Sequence, residues 1–334
     1  MNISRFRLKP VGIHDNNGIM SLAGKKNPVG VFVQAFAYWW SLRQTRAFAA
    51  RDAWMNWRQW LLPGRISHRA FGKALAREAV IEPVKPGVHR ITVREHDIAF
   101  YWLGKVDNNL HYTIAQEFDP NCPHFYTTAP VQMTPESVVL DIGACEGLFA
   151  CRVLRQGLAA KVICFEPSAR TADYLRQGAG LNGVSDRIII EVMAVSRQSG
   201  TVFFTEGDCP DANCITTRSD APGTAPIRAV ALDDYCTSHQ IKLTSHDLIK
   251  IDAEGADLDV LRGAEQIIRS AAPQIAVTTY HKEEHAREIL AYLKSIQPGY
   301  QFRIKGLTLF GPVRFFGGTK PRPMLLQAAL QAKS

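Results

Sequence analysis

The sequence predicts an α/β fold: a Rossmann-like, doubly wound, mostly parallel sheet, preceded by a basic α+β extension. Three observations carry this. After Pro135, short β-branched runs alternate with stretches of helical period. One such run, from Val138, ends in a glycine-bearing loop that opens a helix. The charge is also lopsided: residues 1–94 hold 16 Lys/Arg against 4 Asp/Glu and the other 240 hold 23 against 27, in a chain of net charge +8.

Taken in order, residues 1–28 are rich in Gly, Asn and Lys without a period and read as a flexible arm. From Gln34 to Leu62, Phe36, Trp40, Ala47, Ala50, Trp54, Trp57 and Leu61 recur at three- and four-residue steps, and Pro63-Gly64 ends the pattern. One helix with that stripe as core is expected; a Trp-rich basic helix lying on a membrane is the reading left open beside it. Arg90–Arg94, Ile98–Leu103 and His111–Ile114 predict short strands, with Asp107–Asn109 a turn and Asp119–Pro123 a linker. Residues 29–125 are therefore an accessory region and 126–334 the main domain. In that domain strands are expected at Val138–Ile142, Lys161–Phe165, Arg187–Val192, Asp247–Ile251 and Gln274–Thr279. Helices are expected at Leu148–Gln156, Ala169–Leu181, Ala256–Arg269 and Glu283–Ile296. An insertion between the third and fourth strands holds Thr201–Thr205, a polar loop to Pro226, and Ile227–Leu232.

Composition narrows the class. With 46% hydrophobic and 21% charged residues, a sizeable core forms and wholesale disorder is excluded. The seven cysteines are scattered, as cytosolic thiols are, and form no disulfide framework. Cys209 and Cys214 lack the second pair that a zinc site needs, so no metal site is expected. No signal-peptide core follows Met1, and the apolar run Val29–Leu42 is too short to span a bilayer, which predicts a soluble, cytoplasmic chain. The basic N-terminal region reads as a solvated face, or one docked on an acidic patch of its own partner domain, with an anionic partner or membrane surface as the reading left open beside it.

The chemistry concentrates in three segments. In Val138-Val-Leu-Asp-Ile-Gly-Ala-Cys-Glu-Gly147 a strand ends in Asp141, and Gly143, Ala144, Cys145 and Gly147 form a tight loop where backbone can approach a ligand. A nicotinamide dinucleotide would be repelled by Asp141 and crowded by Cys145; the same Asp suits a cofactor bearing ammonium and sulfonium charges. Glu166, followed by Pro167, ends the next strand 25 residues on, where a carboxylate accepts hydrogen bonds from two vicinal ribose hydroxyls. Asp252 and Glu254 leave the fourth strand at the topological switch point, able to take a proton, orient the cofactor or share a cation, or else simply to start a helix. His281, after the fifth strand, is a candidate general base near neutral pH or a helix cap, with Tyr280 as a substrate-positioning neighbour.

Jointly, Asp-Ile-Gly-Ala-x-x-Gly (141–147), Phe-Glu-Pro (165–167), Leu-Asp-Asp (232–234) and Ile-Lys-Ile-Asp-Ala-Glu-Gly-Ala-Asp followed by Val-Leu-x-Gly-Ala (249–264) resemble the FkbM-type methyltransferases. The resemblance covers about residues 120–300. It implies a class I methyltransferase fold, S-adenosyl-L-methionine as cofactor, and methyl transfer to an oxygen, often a hydroxyl of a sugar, glycan or other natural product. Cys145-Glu146 and Asp257 depart from the family's usual residues. The implied site is Asp141, Gly143, Ala144, Cys145, Gly147, Glu166, Pro167 and Asp252 for the cofactor, with Asp252, Glu254 and His281 catalytic. Two other readings stay open: a nucleic-acid methyltransferase using the basic region, and a non-catalytic scaffold of the same fold. The absence of an Asn-Pro-Pro-Tyr or Asp-Pro-Pro-Tyr signature after the fourth strand weighs against nucleic acid.

Overall fold

The structure is a computed structural model that describes residues 28–55, 79–205, 214–216, 224–308 and 321–331. The expected arm, the end of the Trp-rich pattern from Trp57 to Gly64, Cys209 and most of the polar insertion loop lie outside the described residues. Helix α1 (Pro28–Leu42) and the short α2 (Ala50–Ala53) come first. A meander of β1 (Val80–Lys85), β2 (Val88–Val93) and β3 (Ile98–Leu103) follows, then α3 (Asn108–Phe118). The main domain runs β4 (Val138–Ile142), α4 (Leu148–Arg155), β5 (Lys161–Phe165), α5 (Ala169–Leu181) and β6 (Ile188–Glu191). The insertion supplies β7 (Ala194–Val195), β8 (Gly200–Thr205), β9 (Cys214–Thr216) and β10 (Thr224–Val230). After it come α6 (Leu232–Ser238), β11 (Leu248–Ile251), α7 (Asp257–Arg262), α8 (Glu265–Ala271), β12 (Gln274–Thr278), α9 (His285–Ile296), β13 (Tyr300–Thr308) and β14 (Arg322–Leu330).

The central sheet has seven strands in the order β13-β14-β12-β11-β4-β5-β6. Strands β12, β11, β4, β5 and β6 pair in parallel, whereas β14 runs antiparallel to both β12 and β13. Strands covered by helices on both faces must be apolar throughout, and β4 (VVLDI) and β11 (LIKI) are so except for one charged residue each. Those two residues, Asp141 and Lys250, are register partners. The chain order reverses direction across the sheet between β4 and β11, so the loops leaving those strands frame the crevice where such folds bind ligands.

The sequence reading needs correction in the N-terminal region and in α7–α8. His111–Ile114 is helix, not strand: Asp107 caps α3 by accepting from the Asn109 amide at 2.8 Å, and Leu110, Ile114 and Phe118 face inward at four-residue spacing. Those three pack with Ile91, Val93, Ile98 and Phe100 of the meander. The expected 34–62 helix is broken, since Arg46 takes a left-handed φ of 57° and reverses the chain after Leu42. Its stripe is accordingly out of phase. Ala35, Tyr38 and Leu42 are the buried side of α1, whereas Phe36 and Trp40 are 41% and 49% exposed, with the Arg43 guanidinium 3.4 Å over the Trp40 ring. Ala47 is buried and Trp54 packs against the core, as expected of them. The single helix expected over Ala256–Arg269 is two, separated at Gly263-Ala264, where the Gly263 carbonyl accepts from Asp233 N at 2.8 Å and a Cβ at 263 would stand 2.2 Å from the Ser196 carbonyl oxygen.

Residues 28–53 share the large core of the main sheet. The Ile304 amide of β13 donates to the Ala47 carbonyl at 2.7 Å, and Arg303 grips buried Asp52 with two nitrogens at 2.7 and 3.1 Å. Removing one partner of such a pair strands a buried charge. Asp52→Ala should therefore cost roughly 3 kcal/mol of stability, read as a lowered denaturation midpoint; an unchanged midpoint would mean that α2 docks without this pair.

Candidate functional site

The loop after β4 is built around two glycines that no other residue fits. Gly143 has φ 72°, and a Cβ there would stand 1.9 Å from the Asp252 carbonyl oxygen; one at Gly147, φ 77°, would meet Leu175 at 2.5 Å. The expected close approach is thus first of all to the chain itself. Backbone bonds lace the three strand ends together: Asp252 N to Ile142 O at 3.0 Å, and Gly143 N and Ala144 N to Phe165 O at 3.0 and 3.2 Å.

Asp141 is wholly buried, with no surface to offer a ligand in this conformation. Its carboxylate lies 2.9 Å from Lys250 Nζ, and the same ammonium donates to the Gly143 carbonyl at 2.9 Å. Burial opposes the charge on Lys250, but Asp141 and Asp252 outweigh it and raise the lysine's pKa. The expectation that Asp141 meets a cofactor ammonium directly is corrected: it acts through Lys250 on the loop. Glu166 is also buried. Its Oε2 accepts from Cys145 N at 3.1 Å and its Oε1 from Ser168 N at 2.9 Å, so it joins the loops after β4 and β5. Burial pushes its pKa up to about 7, against the pull of those two amides. Pro167 lies between these contacts, half-buried.

Beyond Gly143 the acidic residues converge on one imidazole. His281 is nearly buried, with Nδ1 3.1 Å from Asp257 Oδ2 and Nε2 3.5 Å from Asp252 Oδ1 and 3.4 Å from Glu254 Oε2. It is no helix cap, because α9 begins at His285. Burial would lower its pKa, but Asp257, Glu254 and Asp252 raise it to about 9. The expected neutral imidazole is therefore corrected: at pH 7 these carboxylates hold it as a cation. The helix-starting acid is Asp257 rather than Glu254. It accepts from Ala253 N at 2.9 Å and Gly255 N at 3.1 Å, while Glu254 sits at φ 47° with an exposed side chain.

Two residues absent from the sequence-predicted site complete it. Tyr126 donates to Asp252 Oδ2 at 2.9 Å, and His124 Nε2 lies 3.1 Å from the Tyr126 hydroxyl and 3.6 Å from Asp252 Oδ2. Burial would raise the Asp252 pKa, but His124, His281 and Lys250 hold it below the usual carboxylate range. Tyr280 packs on both imidazoles, 5.4 Å from the His124 ring and 4.2 Å from that of His281. The dense His-Phe-Tyr run (124–126), directly after the expected linker Asp119–Pro123, was the available signal.

A doubly wound sheet with one reversed strand, and with glycine and carboxylate loops at the ends of β4, β5 and β11, is the fold of a class I methyltransferase. Residues 141–304 match the family model of the methyltransferase FkbM domain, so the chain carries that domain and is an S-adenosylmethionine-dependent methyltransferase. It is 29% identical to the 2-O-methyltransferase NoeI of Sinorhizobium fredii over 50% of this chain and 75% of that protein. It is 26% identical to the hexuronic acid methyltransferase AglP of Haloferax volcanii, over 40% of this chain and 53% of that one. Among solved structures, the methyltransferase FkbM from Methylobacillus flagellatus aligns at 17% identity and a TM-score of 0.42, covering 82% of this chain and 66% of that one.

Lys250 is the testable centre of this arrangement. Lys250→Met leaves Asp141 buried without a counter-charge and should cost roughly 3–5 kcal/mol. Adding Asp141→Leu should restore much of that loss in chemical denaturation. A double variant as unstable as the sum of the singles would show that the two residues do not act as a pair.

Proposed function

We propose that this methyltransferase transfers the methyl group of S-adenosylmethionine to a hydroxyl oxygen of a sugar, glycan or related natural product. The observation that carries the reading is the meeting of Asp252, Glu254 and His281 immediately beside the Gly143 turn. A hydroxyl acceptor must lose a proton as its oxygen takes the methyl, and the carboxylates of this cluster, beside the cofactor loop, can receive it. The 2-O- and hexuronic-acid activities named for two relatives support a sugar hydroxyl as acceptor.

In this reading Glu166 receives the ribose hydroxyls on the lone pairs left free by its two amide bonds. Gly143, Ala144, Cys145, Gly147 and Pro167 line the cofactor, and Asp252 faces its methionine portion. The reaction is an in-line displacement, so most of the protein's contribution is to align acceptor oxygen, methyl carbon and sulfur. We assign this work to residues 126–334 together with His124, with the rest of 29–125 as an accessory region whose basic, aromatic surface faces an anionic partner or membrane surface. No described helix is long and apolar enough to cross a membrane, and we place the reaction in the cytoplasm.

S-adenosylhomocysteine should raise the melting temperature and NADH should not; the reverse pattern would overturn the cofactor assignment. Glu166→Ala should weaken cofactor binding by about 1.5–3 kcal/mol in calorimetry, and an unchanged Kd would confine Glu166 to joining the two loops. His281→Ala, which removes the imidazole that organises the Asp252 and Glu254 carboxylates, should lower turnover on a sugar acceptor roughly 10²–10⁴-fold with cofactor affinity nearly constant. Wild-type turnover in that variant would remove the imidazole from the chemistry.

A further inference from the structure

We propose that Asp252, Glu254 and His281 together bind one divalent cation of the first transition row. One donor atom from each of the three lies within 4.8 Å of the others. The His281 Nε2 stands 3.4 and 3.5 Å from its two carboxylate neighbours. Adjacent ligands on an ion with bonds of roughly 2.1 Å sit about 3 Å apart, so small side-chain adjustments bring all three onto one centre.

The second observation is the imidazole itself. His281 keeps only 8% of its side chain exposed, yet its buried Nε2 has no hydrogen-bond partner and points between the carboxylates of Asp252 and Glu254. A buried polar atom left so is costly, and a metal ion that displaces the proton held there would supply the missing partner. Its other nitrogen is fixed by Asp257 at 3.1 Å, the carboxylate–histidine arrangement that orients an imidazole for a metal. Asp252 is held in the same manner by Tyr126 at 2.9 Å and Thr278 at 3.1 Å. Asp257 is in turn anchored by the amides of Ala253 and Gly255, so the outer residues are rigid before any ion arrives. One imidazole with two carboxylates suits Mn²⁺ and its neighbours better than Ca²⁺, which takes oxygen donors. Three protein ligands leave coordination positions open on the exposed Glu254 side, where hydroxyl oxygens of the acceptor can bind.

This inference deepens the proposed reaction and rests on it only for the acceptor. The test is Mn²⁺ titration of the metal-stripped full-length chain, followed by electron paramagnetic resonance and calorimetry. One Mn²⁺ per chain is expected. Glu254→Gln, at an exposed position, and His281→Gln should abolish that binding, and Asp257→Asn should weaken it 10–100-fold. A Mn²⁺ signal unaltered by the protein, or binding unchanged in Glu254→Gln, overturns the site. S-adenosylhomocysteine titrated into the same stripped protein separates the two ideas. If it binds while Mn²⁺ does not, the cation site alone falls; if Mn²⁺ binds and S-adenosylhomocysteine does not, the site stands and the methyl-transfer reading falls.

Discussion

A single buried ion pair, Asp141 with Lys250, fixes the geometry on which the rest of the site depends. The two residues interrupt otherwise apolar neighbouring strands at the same register, so each meets the other's charge across the sheet. Such pairs seldom add net stability, because desolvation consumes much of the attraction. What this one supplies is position. The ammonium also holds the Gly143 carbonyl, and Gly143 in turn lies against the backbone of Asp252. The cofactor loop and the acidic cluster thus share one pin, and neither can shift without the other.

Around that pin the polar groups have overlapping duties. Thr278 reaches both Asp252 and Asp257, Tyr126 reaches Asp252, and Glu166 joins two loops. Each bond removes a rotamer that the site would otherwise have to select when ligands arrive. Preorganised charge of this kind acts on a reacting oxygen without further rearrangement. It also explains why His281, though built from the residue type best known as a neutral base, is held as a cation by its carboxylate neighbours.

Much of the catalytic half was legible in the sequence because its signals are local. Strand Lys161–Phe165 and helix Ala169–Leu181 after it stand where periodicity puts them, since a parallel strand and a two-sided helix carry their own patterns. The glycine loop, Glu166 and the Asp252–Glu254 segment were likewise visible as motifs. What escaped depends on distant partners. Lys250 reads as one polar residue in an apolar run until β4 is laid beside it. His124 and Tyr126 reach Asp252 across 128 and 126 residues of chain, which no window of sequence spans. The Trp-rich helix failed for a related reason: one left-handed residue, Arg46, put the second half of a regular pattern out of phase with the first.

The place of β14 in the sheet has a consequence for how the molecule comes into being. It lies between β12 and β13, although it is made after both, so β13 has no hydrogen-bonded connection to the rest of the sheet until residues 322–330 exist. Helix α2 and Ala47 before it dock on β13 and so have no settled surface to join before then. During synthesis this earlier segment must wait for residues 322–330 before its inward side is covered. That interval is when a nascent chain is most exposed to self-association and most in need of a chaperone.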